Sequence, residues 1–160
     1  MKKKILIIED NEQNLYLLTF IVEKHGYEVS VARDGKEGIE MAERIKPDLI
    51  LLDIQLPVMD GYTVARELRK SKDLASIPIV AVTSFAMIGD LEKAIEAGCT
   101  GYIEKPIDPK TFIVQIEQYL LGKKSELPVK SNGNKGFWIS TILTVIVFII
   151  LNNKIDSTKK

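Results

Sequence analysis

Up to about residue 121, short apolar runs alternate with stretches whose apolar residues recur at helical spacing, and that alternation restricts the chain to βα units around a parallel sheet. Five such units can be read. Ile5 to Ile8 is an unbroken apolar run, as a strand covered on both faces requires, and Leu15, Leu18, Ile21 and Val22 then share one face of a helix that Gly26 ends. Val29 to Ala32 predicts a second strand; Asp34-Gly35 opens a helix through Ile45, and Pro47 blocks its continuation. Leu49 to Leu52 is the most apolar strand, and Pro57 with Asp60-Gly61 makes the loop before a helix from about Tyr62 to Lys70. Pro78 precedes a strand at Ile79 to Thr83, a fourth helix ends at Gly98, and Tyr102-Ile103 forms a brief fifth strand. Asp108-Pro109 has the pattern of an N-cap followed by proline at the first helical position, and this last helix stops near Gly122.

Composition removes several function classes. Acidic and basic residues balance at 22 each, so no summed field of one sign is available to hold a nucleic-acid backbone. Cys99 is the single cysteine, which rules out an intrachain disulfide, suits a reducing compartment and reads as a small packing residue. No glycine-rich loop ending in Gly-Lys-Ser/Thr is present. His25, the single histidine, stands at a helix end where a contact with the helix dipole explains it, so autophosphorylation on histidine is not indicated.

In a parallel α/β sheet, ligands bind beyond the carboxyl ends of the strands. Here strand one ends in Glu9-Asp10, strand three in Asp53, strand four in Thr83 and strand five in Lys105. Taken singly, an aspartate after a strand is often a helix cap and a threonine a satisfied core residue; the convergence of all five on one edge is the signal. Three carboxylates in one cleft repel each other and need cations. Mg²⁺ and Lys105 would bring the formal charge to zero with an oxygen-only ligand set, whereas zinc would want a Cys/His cluster that is absent. A carboxylate can attack phosphorus to give an acyl phosphate, so Asp53 is the candidate nucleophile, Asp10 with Glu9 behind it the candidate metal site, and Thr83 and Lys105 the candidate partners of the phosphoryl oxygens.

The stretches Ile8-Glu9-Asp10-Asn11, Asp53-Ile54-Gln55-Leu56-Pro57-Val58-Met59-Asp60-Gly61, Val82-Thr83-Ser84 and Tyr102-Ile103-Glu104-Lys105-Pro106 resemble, in order and spacing, the response-regulator receiver family over about residues 3 to 121. The resemblance implies a flavodoxin-like (βα)5 doubly wound sheet of order 2-1-3-4-5 and a cis Lys105-Pro106 bond. It implies a phosphoryl group taken by Asp53 from a histidine kinase or a histidine-phosphotransfer protein. Mg²⁺ would be held by Glu9, Asp10, Asp53 and the Gln55 backbone carbonyl. By the same resemblance, Thr83 moves toward the phosphoryl group, Tyr102 turns inward to fill the space left, and the face of helix four, strand five and helix five changes for an output partner. The chain departs from the usual pattern with Glu9 in place of an aspartate and Ser84 in place of alanine, while Gln55 and Phe85 occupy positions that tune phosphoryl lifetime in the family. A phosphorylation-independent membrane-bound scaffold on the same fold is the alternative reading.

Residues 122–135 read as a polar linker, 136–153 as a single hydrophobic helix and 154–160 as a short polar tail. Eleven Phe, Ile, Leu and Val residues fall between Phe137 and Leu151, and as a helix the uncharged stretch Gly136 to Asn153 would be about 27 Å long against a hydrocarbon core of roughly 30 Å. The expectation is a receiver tethered by its C-terminus to the inner face of the cell membrane, with plain cytoplasmic residence as the alternative. No DNA-binding helix pair fits after residue 121, so the expected output is contact with another protein.

Overall fold

The computed structural model describes residues 2–84 and 88–122, as ten elements in strict alternation. The strands are β1 (Lys4–Ile8), β2 (Glu28–Ala32), β3 (Leu49–Asp53), β4 (Ile79–Thr83) and β5 (Gly101–Glu104). The helices are α1 (Glu12–Lys24), α2 (Gly35–Ile45), α3 (Gly61–Lys70), α4 (Ile88–Glu96) and α5 (Pro109–Leu120). The strands pair in parallel in the order β2-β1-β3-β4-β5. This is the flavodoxin-like arrangement.

Alternate residues of each central strand point to opposite faces, so an unbroken apolar run serves two cores at once. Leu6, Ile8, Ile50, Leu52, Ile79 and Ala81 meet Ala42 of α2, Val64, Ala65 and Leu68 of α3 and Ala94 of α4. Ile5, Ile7, Leu49, Leu51, Val80 and Val82 meet Leu15, Leu18, Ile21 and Val22 of α1 and Phe112, Ile113 and Ile116 of α5. Each core leucine or isoleucine here is closed to solvent, and truncation of one to alanine costs about 2–5 kcal/mol.

The helices start where their caps dictate. Asn11 accepts from the N–H groups of Gln13 and Asn14, Asp60 from Thr63, and Asp108 from Lys110 and Thr111, with Pro109 opening α5. Several boundaries differ by a residue from the sequence reading. Asp53 is the last residue of β3, β5 begins at Gly101, and α3 begins at Gly61. The sequence reading places Gly61 in the loop with Asp60, but Asp60 caps the helix directly before it and the Gly61 N–H donates to the Ile54 carbonyl at 3.0 Å. A Cβ there would lie 2.3 Å from the Asp53 carbonyl oxygen, so the loop after β3 can fold against the strand end only with glycine at this place.

The opposite edge of the sheet is tied by Arg69. Its guanidinium donates to the carbonyls of Gly98 at 2.8 Å, Leu74 at 3.0 Å and Ile77 at 2.8 Å, joining the segments that precede β4 and β5. Cys99, beside this clamp, is buried as a packing residue; burial pushes its thiol up to about 12, which keeps it protonated and unreactive at neutral pH. His25 caps α1, its Nδ1 lying 2.7 Å from the Ile21 carbonyl.

Among the described residues, no helix is long and apolar enough to cross a membrane. The expected linker beyond Gly122, the hydrophobic helix over 136–153 and the polar tail lie outside the described residues, so the structure lends the membrane helix no support.

Candidate functional site

The strand registers decide which side chains meet. Ile8 pairs with Leu52, Asp53 with Val82, and Thr83 with Glu104, so Glu9, Asp53, Thr83 and Lys105 emerge at nearly one level of the sheet's carboxyl edge. Continued backbone pairing carries this level outward: the Glu9 N–H donates to Ala32 at 3.1 Å and the Lys105 N–H to Thr83 at 2.9 Å.

Glu9, Asp10 and Asp53 each present a carboxylate oxygen, and these oxygens lie within 4.8 Å of one another. Glu9 and Asp53 are buried, at 1% and 5% exposure, whereas Asp10 faces solvent. Lys105 Nζ stands between the two buried groups, donating to Glu9 Oε2 at 2.7 Å and to Asp53 Oδ2 at 3.0 Å. The other Asp53 oxygen accepts from the Gln55 N–H at 3.0 Å. The other Glu9 oxygen accepts from the Asn11 N–H and from Asn14 Nδ2, both at 3.2 Å.

These contacts set the charge states. Burial holds the Glu9 carboxyl above its ordinary range, opposed by the hydrogen bond from Lys105 and reinforced by the charge of Asp53. Burial alone would lower the Lys105 ammonium, but the hydrogen bond to Glu9 and the charge of Asp53 outweigh it and hold its pKa above the usual lysine value. The site is therefore a lysine clamped between two buried carboxylates, with a third carboxylate at its mouth.

The sequence reading gives Lys105 two roles, counter-charge to the carboxylates and partner of the phosphoryl oxygens; in this arrangement its ammonium bridges Glu9 and Asp53, because an ammonium between two buried carboxylates pairs with both. Asn14 was missed. Its only signal is a place in the first turn of α1, the helix that follows β1. The Lys105–Pro106 peptide is cis. Thr83, 6% exposed, and the half-buried Tyr102 line one small cavity with Ile54, Tyr62, Asp90, Leu91 and Ala94. Phe85 lies outside the described residues.

Next to the site, Val58 is fully exposed with φ at +66°, and the Met59 N–H donates to the Pro57 carbonyl at 2.7 Å. A β-branched residue in that region of backbone space is strained by about 1–3 kcal/mol, so the loop over the site is held in a costly turn by the Gly61 and Asp60 contacts that follow it.

A doubly wound parallel sheet with an oxygen-only acidic cleft and one lysine at its carboxyl edge is the architecture of a phosphotransfer signalling domain, distinct from a nucleotide or flavin site. The chain belongs to the response regulator receiver domain family, which it matches over residues 5–117. It is 45% identical over 120 residues to the polar-differentiation response regulator DivK of Brucella anthropi, a match covering 75% of this chain and 98% of that protein. Among solved structures it is 35% identical, with a TM-score of 0.70, to a sensor histidine kinase receiver domain from Pseudomonas aeruginosa, across 77% of this chain and 100% of that one; a magnesium ion is coordinated in that domain's active-site cleft. The beryllofluoride-activated receiver domain of RstA from Klebsiella pneumoniae is similar at 34% identity and a TM-score of 0.68, across 73% of this chain and 97% of that one. The chain is thus a receiver of phosphorelay signalling and not a metabolic enzyme.

Proposed function

We propose that Asp53 is the phosphoacceptor, taking its phosphoryl group from a phosphohistidine of a histidine kinase or histidine-phosphotransfer protein. The observation that carries this reading is the Lys105 bridge, which holds one Asp53 carboxylate oxygen at the cleft while the Gln55 N–H fixes the other. An Asp53 carboxylate oxygen attacks phosphorus as the phosphorus–nitrogen bond to the donor imidazole breaks, and that imidazole takes up a proton.

Mg²⁺ suits the donor set, since three carboxylate oxygens lie within 4.8 Å of one another and, among the described residues, no Cys or His joins the group. Asp10, Asp53 and the Gln55 carbonyl would hold it with Glu9 behind them, and when bound it neutralises the oxygens of the transferring group. Thr83 and Lys105 then turn to the phosphoryl oxygens, and Tyr102 changes place to alter the face of α4, β5 and α5 for an output protein. The Mg²⁺ assignment is tested by titration calorimetry on the unphosphorylated chain. Asp10→Ala should lose at least about tenfold in affinity, the scale of one ligand removed, and equal affinity in both forms would remove Asp10 from the metal site.

For residues 136–153 the proposed role is a C-terminal anchor to the inner face of the membrane, supported by apolar composition alone. Cell fractionation with an alkaline carbonate wash should leave the full chain with membranes and a chain ending at Gly122 in solution. Recovery of both in the soluble fraction would dispose of the anchor.

A further inference from the structure

Tyr62, the second residue of α3, walls two spaces at once. Outside, it lines a groove of about 290 Å³ between α3 and α4 with Asp60, Arg66, Lys93 and Glu96. Inside, it lines the small cavity that Thr83 and Tyr102 share, whose free volume of about 10 Å³ admits roughly one water and far less than a phenol ring. Its hydroxyl makes a long contact, 3.4 Å, with the Asp90 backbone carbonyl in the first turn of α4. That length marks a weak bond, easily exchanged for water.

The interior therefore has no room for Tyr102 as it stands. Of the other side chains around the cavity, Ala81 is fixed on β4, Ile54 directly follows β3, Ala94 has nothing to withdraw, Asp90 and Leu91 are carried on α4, and Thr83 in moving frees only a hydroxyl and a methyl group, less than a phenol ring. Tyr62 has both a half-buried ring and an adjoining groove large enough to receive it. Its phenol is held above the ordinary tyrosine pKa, first by burial and then by the Asp90 charge, which keeps it a neutral donor to the α4 carbonyl.

We propose that Tyr62 is a positioning residue of the switch: it closes the interior space against Tyr102 while latching the first turn of α4, and it swings into the α3–α4 groove when Tyr102 turns inward. This rests on the reading of Thr83 and Tyr102 given above. Signal transfer then exchanges one tyrosine ring for another, and release of the Asp90 carbonyl frees α4 in the same movement.

The test is fluorine NMR of the full chain with fluorotyrosine at its five tyrosines, assigned by single Tyr→Phe replacements, with Mg²⁺ and beryllofluoride in place of phosphate. In the wild type both the Tyr62 and Tyr102 signals should shift, and bound beryllofluoride reports occupancy through its own fluorine resonance. Tyr62→Trp, with a larger ring, should bind beryllofluoride while losing the Tyr102 shift. Tyr62→Phe keeps the ring and should retain that shift, separating a specific block from a general loss of structure. A Tyr102 shift in both the wild type and Tyr62→Trp, with Tyr62 itself unmoved, would overturn the proposal and leave the switch reading intact. Occupancy without any Tyr102 shift in the wild type would bring down the switch reading, and this proposal with it.

Discussion

Asp53→Asn is expected to form no phosphoryl adduct with acetyl phosphate and Mg²⁺, under conditions in which the wild type gains the mass of one phosphoryl group. The substitution is nearly isosteric and keeps an oxygen for the Gln55 N–H, so the strand end and loop should hold their shape. What disappears is the anionic nucleophile, and an amide oxygen does not replace it. The two neighbouring carboxylates do not substitute for Asp53 on structural grounds. Glu9 has both oxygens engaged, by Lys105 on one side and by Asn11 and Asn14 on the other, and Asp10 lies at the exposed mouth of the site. An Asp53→Asn chain that gained the same hydroxylamine-sensitive adduct in the same yield would show that the nucleophile lies elsewhere; no adduct on either form would favour the inert scaffold.

The second large effect is on stability. Lys105→Met should lower metal-free stability by about 3–5 kcal/mol, the usual consequence of removing one partner from a buried ionic cluster, or roughly 10–20 °C in Tm for a domain of this size. Lys105 is 13% exposed against 2% for the Glu9 side chain and 5% for Asp53, so little water reaches the carboxylates left behind. Mg²⁺ should restore more stability to the variant than to the wild type, because the cation enters a site whose competing ammonium is gone. Thermal unfolding in EDTA and in excess Mg²⁺ gives all four values. A variant with unchanged Tm and unchanged Mg²⁺ response would show that Lys105 does not balance the cluster.

Much of this architecture was legible because parallel strands covered on both faces cannot hide their pattern. Ile5 to Ile8, Leu49 to Leu52 and Ile79 to Thr83 read as apolar runs, and the polar residues that end them fall at the edge where a doubly wound sheet places its chemistry. The strand order came from the family resemblance, since periodicity does not tell which strand lies beside which. Helix residues that reach the site were illegible for a different reason. Asn14 and Tyr62 sit on helices whose polar and aromatic positions look like ordinary surface or core, and their contacts with Glu9 and the Asp90 carbonyl come only with the tertiary arrangement. Lys105 was legible as the lysine that balances the three carboxylates, whereas its division between Glu9 and Asp53 comes only with the strand registers.

The central claim, that Asp53 carries the phosphoryl group, is tested most directly by reductive trapping. The full chain is treated with acetyl phosphate and Mg²⁺, reduced with borohydride, digested and mapped by mass spectrometry. An aspartyl phosphate is reduced to homoserine, whereas free carboxylates are untouched, so the modified position is recorded covalently. The account predicts homoserine at position 53 alone; homoserine at position 10, or the corresponding reduced glutamate at position 9 with Asp53 intact, would contradict it.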